Sequence, residues 1–141
     1  MSKYNIVENR KEKKAEYATL LSTAAVERLY DQILQKVVME KRYRDSKYTA
    51  ATLADEIGTN PRYISAVVNL RFRDNFSQML NELRIKDAMY MLTDKHFADL
   101  SVEEIATKVG YNNRQCFYSA FYRRTGITPL NFRKTKTGAD E

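Results

Sequence analysis

A short pattern occurs twice in this chain of 141 residues, and it constrains the fold more than any other feature. The first copy reads Leu53-Ala54-Asp55-Glu56-Ile57-Gly58-Thr59-Asn60-Pro61-Arg62-Tyr63-Ile64. The second reads Ile105-Ala106-Thr107-Lys108-Val109-Gly110-Tyr111-Asn112-Asn113-Arg114-Gln115-Cys116-Phe117. In each, an amphipathic run closes on a Gly that can take the left-handed conformation, and an Asn then opens a second helix with Arg near its start. Gly58 and Gly110 are therefore expected to be the turn glycines. The second turn is one residue longer, because Ile64 and Phe117 occupy the next core position in the two copies.

Hydrophobic periodicity extends this into an all-α fold of about seven helices. Val26, Leu29, Tyr30, Ile33, Leu34, Val37 and Val38 share one helical face, and residues 41–46 form a polar connector. A short helix follows from Ala50 to Ile57, and Asn60 with Pro61 opens the next. Asn75 with Gln78 and Ser101 with Glu104 have the spacing of capping boxes. The helix opened by Asn75 runs to Thr93, with Phe76, Met79, Leu80, Leu83, Ala88, Met91 and Leu92 as its apolar face. Asn112 or Asn113 opens the second helix of the second unit, and Thr128 before Pro129 opens a last short one through Phe132. The expected organisation is a charged arm (1–21), a first helix with the first lobe (22–74), a connecting helix (75–94), a second lobe (95–136) and an acidic tail (137–141).

Charge is distributed unevenly. Residues 60–136 hold 13 basic and 7 acidic side chains, and residues 113–136 hold six basic ones with no acidic one. That clustering suits a polyanion. The single Cys116 excludes an internal disulfide and fits a reducing compartment. No apolar run reaches the roughly 18 residues of a membrane span, and no signal pattern follows Met1, so a cytoplasmic location at the nucleoid is expected. Catalysis finds no support. His96 and Cys116 make neither a metal set nor a nucleophile–base pair, Glu103 and Glu104 are explained by a helix dipole, and there is no Gly-rich phosphate loop. Neither a cofactor nor a metal is expected.

The outer face near the start of each second helix is where base edges would be read. In the first copy these positions are Arg62, Ser65 and Ala66, with Tyr63 and Asn69 towards the backbone. In the second they are Arg114, Gln115, Tyr118 and Ser119. Arg pairs with guanine and Gln with adenine, while small residues allow close approach to a thymine methyl. Arg71, Arg73, Arg123, Arg124, Arg133, Lys134 and Lys136 lie at helix ends and in loops, as phosphate contacts do. Cys116, by its position on the helix, reads first as a small half-buried packing residue.

These motifs resemble the DNA-binding domain of AraC/XylS-type transcriptional regulators. The residues carrying the resemblance are Leu53-Ala54, Gly58, Arg84, Ala88 to Leu92, Ser101 to Ala106, Gly110-Tyr111, Phe117, Ala120-Phe121, Arg123-Arg124, Gly126 to Pro129 and Phe132-Arg133. The resemblance implies two helix-turn-helix lobes joined by a rigid helix, with recognition helices in successive major-groove segments. It also implies transcriptional regulation, usually activation, with double-stranded DNA and RNA polymerase as partners. By position it adds Cys116 to the base-reading set. Two features depart from the family: Asp74-Asn75 replaces a Gly-rich turn, and Ala66 is small where a longer polar residue is common.

A connecting helix of about 19 residues spans roughly 28 Å. Adjacent groove segments are about 34 Å apart, so bending of the DNA is expected. About 21 residues precede the first periodic helix, too few for a ligand-binding domain, which suggests a stand-alone regulator, an arm or first helix that docks a partner, or a fragment of a larger regulator. An architectural DNA-bending protein and a protein-binding adaptor are the alternatives, and oligomeric state is left open.

Overall fold

Each helix begins where a short polar side chain can take an otherwise unpaired backbone amide, and three of the six α-helices before the last end where a Gly adopts positive φ. The computed structural model describes residues 21–137. Helix α1 (Thr23–Ile33) starts at Ser22, whose Oγ accepts from the Ala25 amide, and continues into a wider π-helical turn over Leu34–Met39. A 3-10 turn (Arg42–Arg44) leads to α2 (Ala50–Ile57), capped by Thr49. Helices α3 (Pro61–Phe72) and α4 (Phe76–Thr93) follow, then a 3-10 turn (Lys95–Phe97). Helices α5 (Val102–Val109), α6 (Arg114–Thr125) and α7 (Pro129–Thr137) complete the described chain. Seven α-helices and no strand are present among the described residues.

The caps follow the residues expected of them. Asn60 Oδ1 accepts from the Tyr63 amide at 3.1 Å, with Pro61 at the first helical position. Ser101 and Glu104 make the full reciprocal box, whereas Asn75 makes only half of one. Its own amide goes to Asp74 Oδ1 at 3.0 Å. Asn113, not Asn112, opens α6, accepting from the Cys116 amide at 2.8 Å. Helix α7 runs to Thr137, well past Phe132, because residues 133–137 contain nothing that breaks a helix.

The chain divides into two compact units, with boundaries other than those the sequence suggests. One unit takes the chain through Lys41 together with Thr49–Met79; the other takes Arg42–Tyr48 and everything from Leu80 onward. The connecting helix is thus shared, and the polar connector belongs to the second unit. Of the expected charged arm (1–21) and acidic tail (137–141), residues 1–20 and 138–141 lie outside the described residues.

In the first unit, Val26, Leu29, Ile33 and Val37 from α1 and its π-helical continuation are buried, as are Leu53 and Ala54 from α2 and Ile64, Val67 and Val68 from α3. Helix α3 packs against both α1 and α2, so its buried positions wrap beyond a single stripe.

In the second unit the core joins Ile85, Ala88, Met91 and Leu92 of α4 to Val102, Ile105, Ala106 and Val109 of α5. A row of aromatic rings completes it: Tyr111 to Phe117 at 5.4 Å, Phe117 to Phe121 at 5.7 Å and Phe121 to Phe132 at 5.3 Å between centroids. Ile85, absent from the expected apolar face of α4, is only 2% exposed, while Leu83 on that face is half-buried.

The Arg42–Tyr48 segment is bonded to this second unit by charged groups. Arg44 places Nε 2.7 Å and Nη2 3.1 Å from the Asp87 carboxylate, and Tyr43 Oη donates to the same carboxylate at 2.8 Å. Arg84 donates to the carbonyls of Tyr43 (2.6 Å) and Asp45 (2.9 Å). Burial first, then the bond to Asp87, raises the Tyr43 pKa to about 12.

Candidate nucleic-acid interface

Two helices carry the candidate contacts, α3 in the first unit and α6 in the second. Each follows a Gly in the left-handed region, Gly58 at φ 75° and Gly110 at φ 116°, as the sequence leads one to expect. At Gly110 the need for glycine is also steric. A Cβ there would lie 2.5 Å from the Tyr43 carbonyl oxygen and 2.7 Å from Arg84 Nε. At Gly58 nothing lies within 4 Å of an added Cβ, so only the backbone conformation favours glycine.

Helix α6 exposes Arg114, Gln115, Cys116 and Ser119, and Tyr118 is half-buried. The exposure of Cys116 corrects the expectation of a packing residue: the core side of α6 is filled by Phe117 and Phe121, both 0% exposed. Arg114 is held on two sides. Its Nε lies 3.0 Å from Glu103 Oε1, and its guanidinium carbon sits 4.4 Å from the Tyr118 ring centroid. The pKa of Arg114 is raised above its ordinary value, first by hydrogen bonding to Tyr118, with Glu103 adding to it.

Tyr122, 59% exposed, lies outside the set of contacts expected from sequence, although it stands one helical turn after Tyr118. With Tyr118, Ser119, Arg123 and Thr128 it lines a shallow depression beside the exposed face of α6. A second groove, on the side of α6 towards α4, is lined by Asn81, Arg84, Asn112, Gln115, Ser119 and Arg123 among others. In its wall Tyr111 Oη donates to Asn81 Oδ1 at 2.7 Å, and burial raises the Tyr111 pKa to about 12.

On α3, Arg62 is exposed and Tyr63, Ser65 and Asn69 are half-buried. Ala66 is 0% exposed. This corrects its expected place on the outer face: its methyl lies in the core, because α3 is packed from two sides. Arg71 forms an ion pair with Glu27 and lies over the Tyr30 ring. Arg73 ends α3 at φ 57° and supplies, without glycine, the left-handed turn that the sequence lacked a Gly to make.

The other basic residues divide by their surroundings. Arg123, Lys134 and Lys136 are exposed. Arg124 is paired with Glu82, its Nε 3.0 Å from Oε1. Arg133 departs most from expectation. It donates to the carbonyls of Leu92 (3.1 Å), Leu100 (2.7 Å) and Phe97 (3.1 Å), so its guanidinium closes the end of α4 and the loop before α5. That is a structural role in place of the expected phosphate contact. Among the described residues no cluster of three or more His, Cys, Asp or Glu could hold a metal, and no helix is long and apolar enough to cross a membrane.

A family model described as a helix-turn-helix domain matches residues 53–135, which include both turn glycines and both of these helices. The uncharacterized HTH-type transcriptional regulator YtdP of Bacillus subtilis (strain 168) is 32% identical over 92 residues, covering 65% of this chain and 12% of that protein. The melibiose operon regulatory protein of Escherichia coli (strain K12) is 26% identical over 90 residues, covering 64% and 29%. Among solved structures, the C-terminal domain of AraT, a response regulator from Geobacillus stearothermophilus, superimposes with a TM-score of 0.65 at 27% identity. That match covers 82% of this chain and 88% of the other. Against the first three curated relatives, the match spans only 12%, 23% and 48% of their lengths. By the matched family model, its relatives and the shared fold, the chain belongs to the AraC-type family of helix-turn-helix transcription regulators.

Proposed function

We propose that this protein binds double-stranded DNA sequence-specifically and regulates transcription, as an activator that engages RNA polymerase in the bacterial cytoplasm. In this reading α3 and α6 enter successive major-groove segments. Arg62 and Ser65 read bases from α3, and Arg114, Gln115, Cys116, Tyr118 and Ser119 read them from α6. Tyr63, Asn69, Arg71, Arg73, Arg123, Arg124, Lys134 and Lys136 face phosphates, with Arg71 and Arg124 exchanging a carboxylate partner for a phosphate one.

The observation that carries the reading is the first turn and a half of α6. There a fixed turn at Gly110 presents Arg, Gln, Cys and Ser outward from a fully packed aromatic core. Polar side chains at the start of a rigid helix are what direct readout needs, since the wrong base then leaves a donor unpaired.

Selection of bound sequences from a pool of random duplexes tests this. The expected product is a bipartite site, two short preferred blocks with centres about ten base pairs apart. Enrichment of a single block would leave α3 without a base-reading role, and no enrichment would overturn sequence-specific binding.

A further inference from the structure

Glu103 has no role in the reading above, and helix-dipole stabilisation accounts only for its being acidic. Its position is more specific than that. It is the second residue of α5, while Arg114 is the first of α6, so the turn between the two helices brings the carboxylate to the guanidinium. The closest approach of Glu103 is from Oε1 to Arg114 Nε, at 3.0 Å, rather than to either of the two terminal amino groups. Those two groups are the fork that matches O6 and N7 of guanine. The opposite support is Tyr118, whose ring lies under the guanidinium and is itself anchored edge-on against the buried Phe117, 6.0 Å between centroids. Arg114 is thus held by a carboxylate at Nε and by an aromatic face, although its side chain is 65% exposed.

An exposed arginine ordinarily samples many rotamers and loses them on binding a base. One already held loses less when it meets the right base, and has less freedom to find a neighbouring acceptor on the wrong one. The same carboxylate is a negative charge beside a polyanion, and so opposes binding to DNA of any sequence.

We propose that Glu103 is a positioning residue that sets the specificity of Arg114 at the expense of overall affinity. The proposal rests on the reading of α6 as a base-reading helix. Glu103→Ala should reduce discrimination at the base pair read by Arg114 by about threefold to tenfold while leaving binding to random duplex unchanged or tighter. Glu103→Gln, which keeps the oxygen acceptor and loses the charge, should retain most of the discrimination. Glu103→Ala combined with Arg114→Ala should discriminate no worse at that base pair than Arg114→Ala alone.

Affinities of the native protein and the four variants for the selected duplex, its single-base variants and a random duplex separate the outcomes. If Arg114→Ala changes no base preference, base readout by Arg114 is wrong and the role of Glu103 falls with it. If Arg114→Ala removes a preference that Glu103→Ala leaves intact, the role of Glu103 alone is overturned. Equal weakening on every duplex by both Glu103 variants, with a lowered melting temperature, would show that Glu103 only supports the fold.

Discussion

Gly110 shows how much one residue can decide. Its φ of 116° is costly for any side chain, and the space where a Cβ would stand is occupied by a backbone oxygen that cannot swing away. Gly58 has the same function in the first unit, a left-handed turn at φ 75°, but open space around it. The two glycines therefore predict different outcomes for the same substitution. Gly58→Ala should cost about 1 kcal/mol, the conformational term alone. Gly110→Ala should cost about 3 kcal/mol or more, because the Tyr43 segment or the turn must shift as well. Chemical denaturation of the two variants checks this, and equal losses would mean that the packing at Gly110 relaxes freely. The sequence made the turn conformations legible at both sites, since a Gly between an amphipathic run and an Asn is a local signal. It could not reveal the difference between them, which depends on a segment more than sixty residues earlier in the chain.

Among the elements, the end of α4 and the Arg42–Tyr48 segment depend on side chains that local pattern reading assigns to solvent. Arg133 satisfies three backbone carbonyls, so Arg133→Ala should destabilise the second unit by about 2–3 kcal/mol, read as a lower denaturation midpoint. Little change would show that water replaces the guanidinium. The Arg42–Tyr48 segment and the Gly110 turn supply a pH dependence. Burial raises the pKa of Tyr43 and of Tyr111 to about 12 in the folded state, from the ordinary tyrosine value of 10.0. The folded state thus holds protons that the unfolded state gives up as pH passes 10. Their contribution is complete below pH 10 and is lost as pH rises towards 12, by at most about 2–3 kcal/mol each. Unfolding free energies across that window should fall for the native protein and fall less steeply for Tyr43→Phe and Tyr111→Phe. Identical slopes would contradict these shifts. Helix starts at Asn60, Ser101 and Asn113 were legible because a cap is set by three or four consecutive residues. The burial of Ala66 and Ile85 was not, because each is decided by a neighbouring helix distant in sequence.

For the molecule as a whole, the fold class and the family follow from the duplicated motif, while the division into units and the fate of each basic residue required the structure. Of the cations expected on phosphate, Arg133 is committed to the fold, and Arg71 and Arg124 have acidic partners to leave. In the proposed function the clamp on the DNA backbone is accordingly smaller than the count of basic residues suggests. The most direct test is to titrate the selected duplex and a shuffled duplex of equal length at several salt concentrations. With about five phosphates neutralised, log affinity should fall against log salt with a slope of about −4.5. The selected duplex should bind at least about a thousandfold more tightly than the shuffled one at physiological salt. Equal affinities for the two duplexes, or a slope shallower than about −2, would contradict sequence-specific recognition by two helix-turn-helix units.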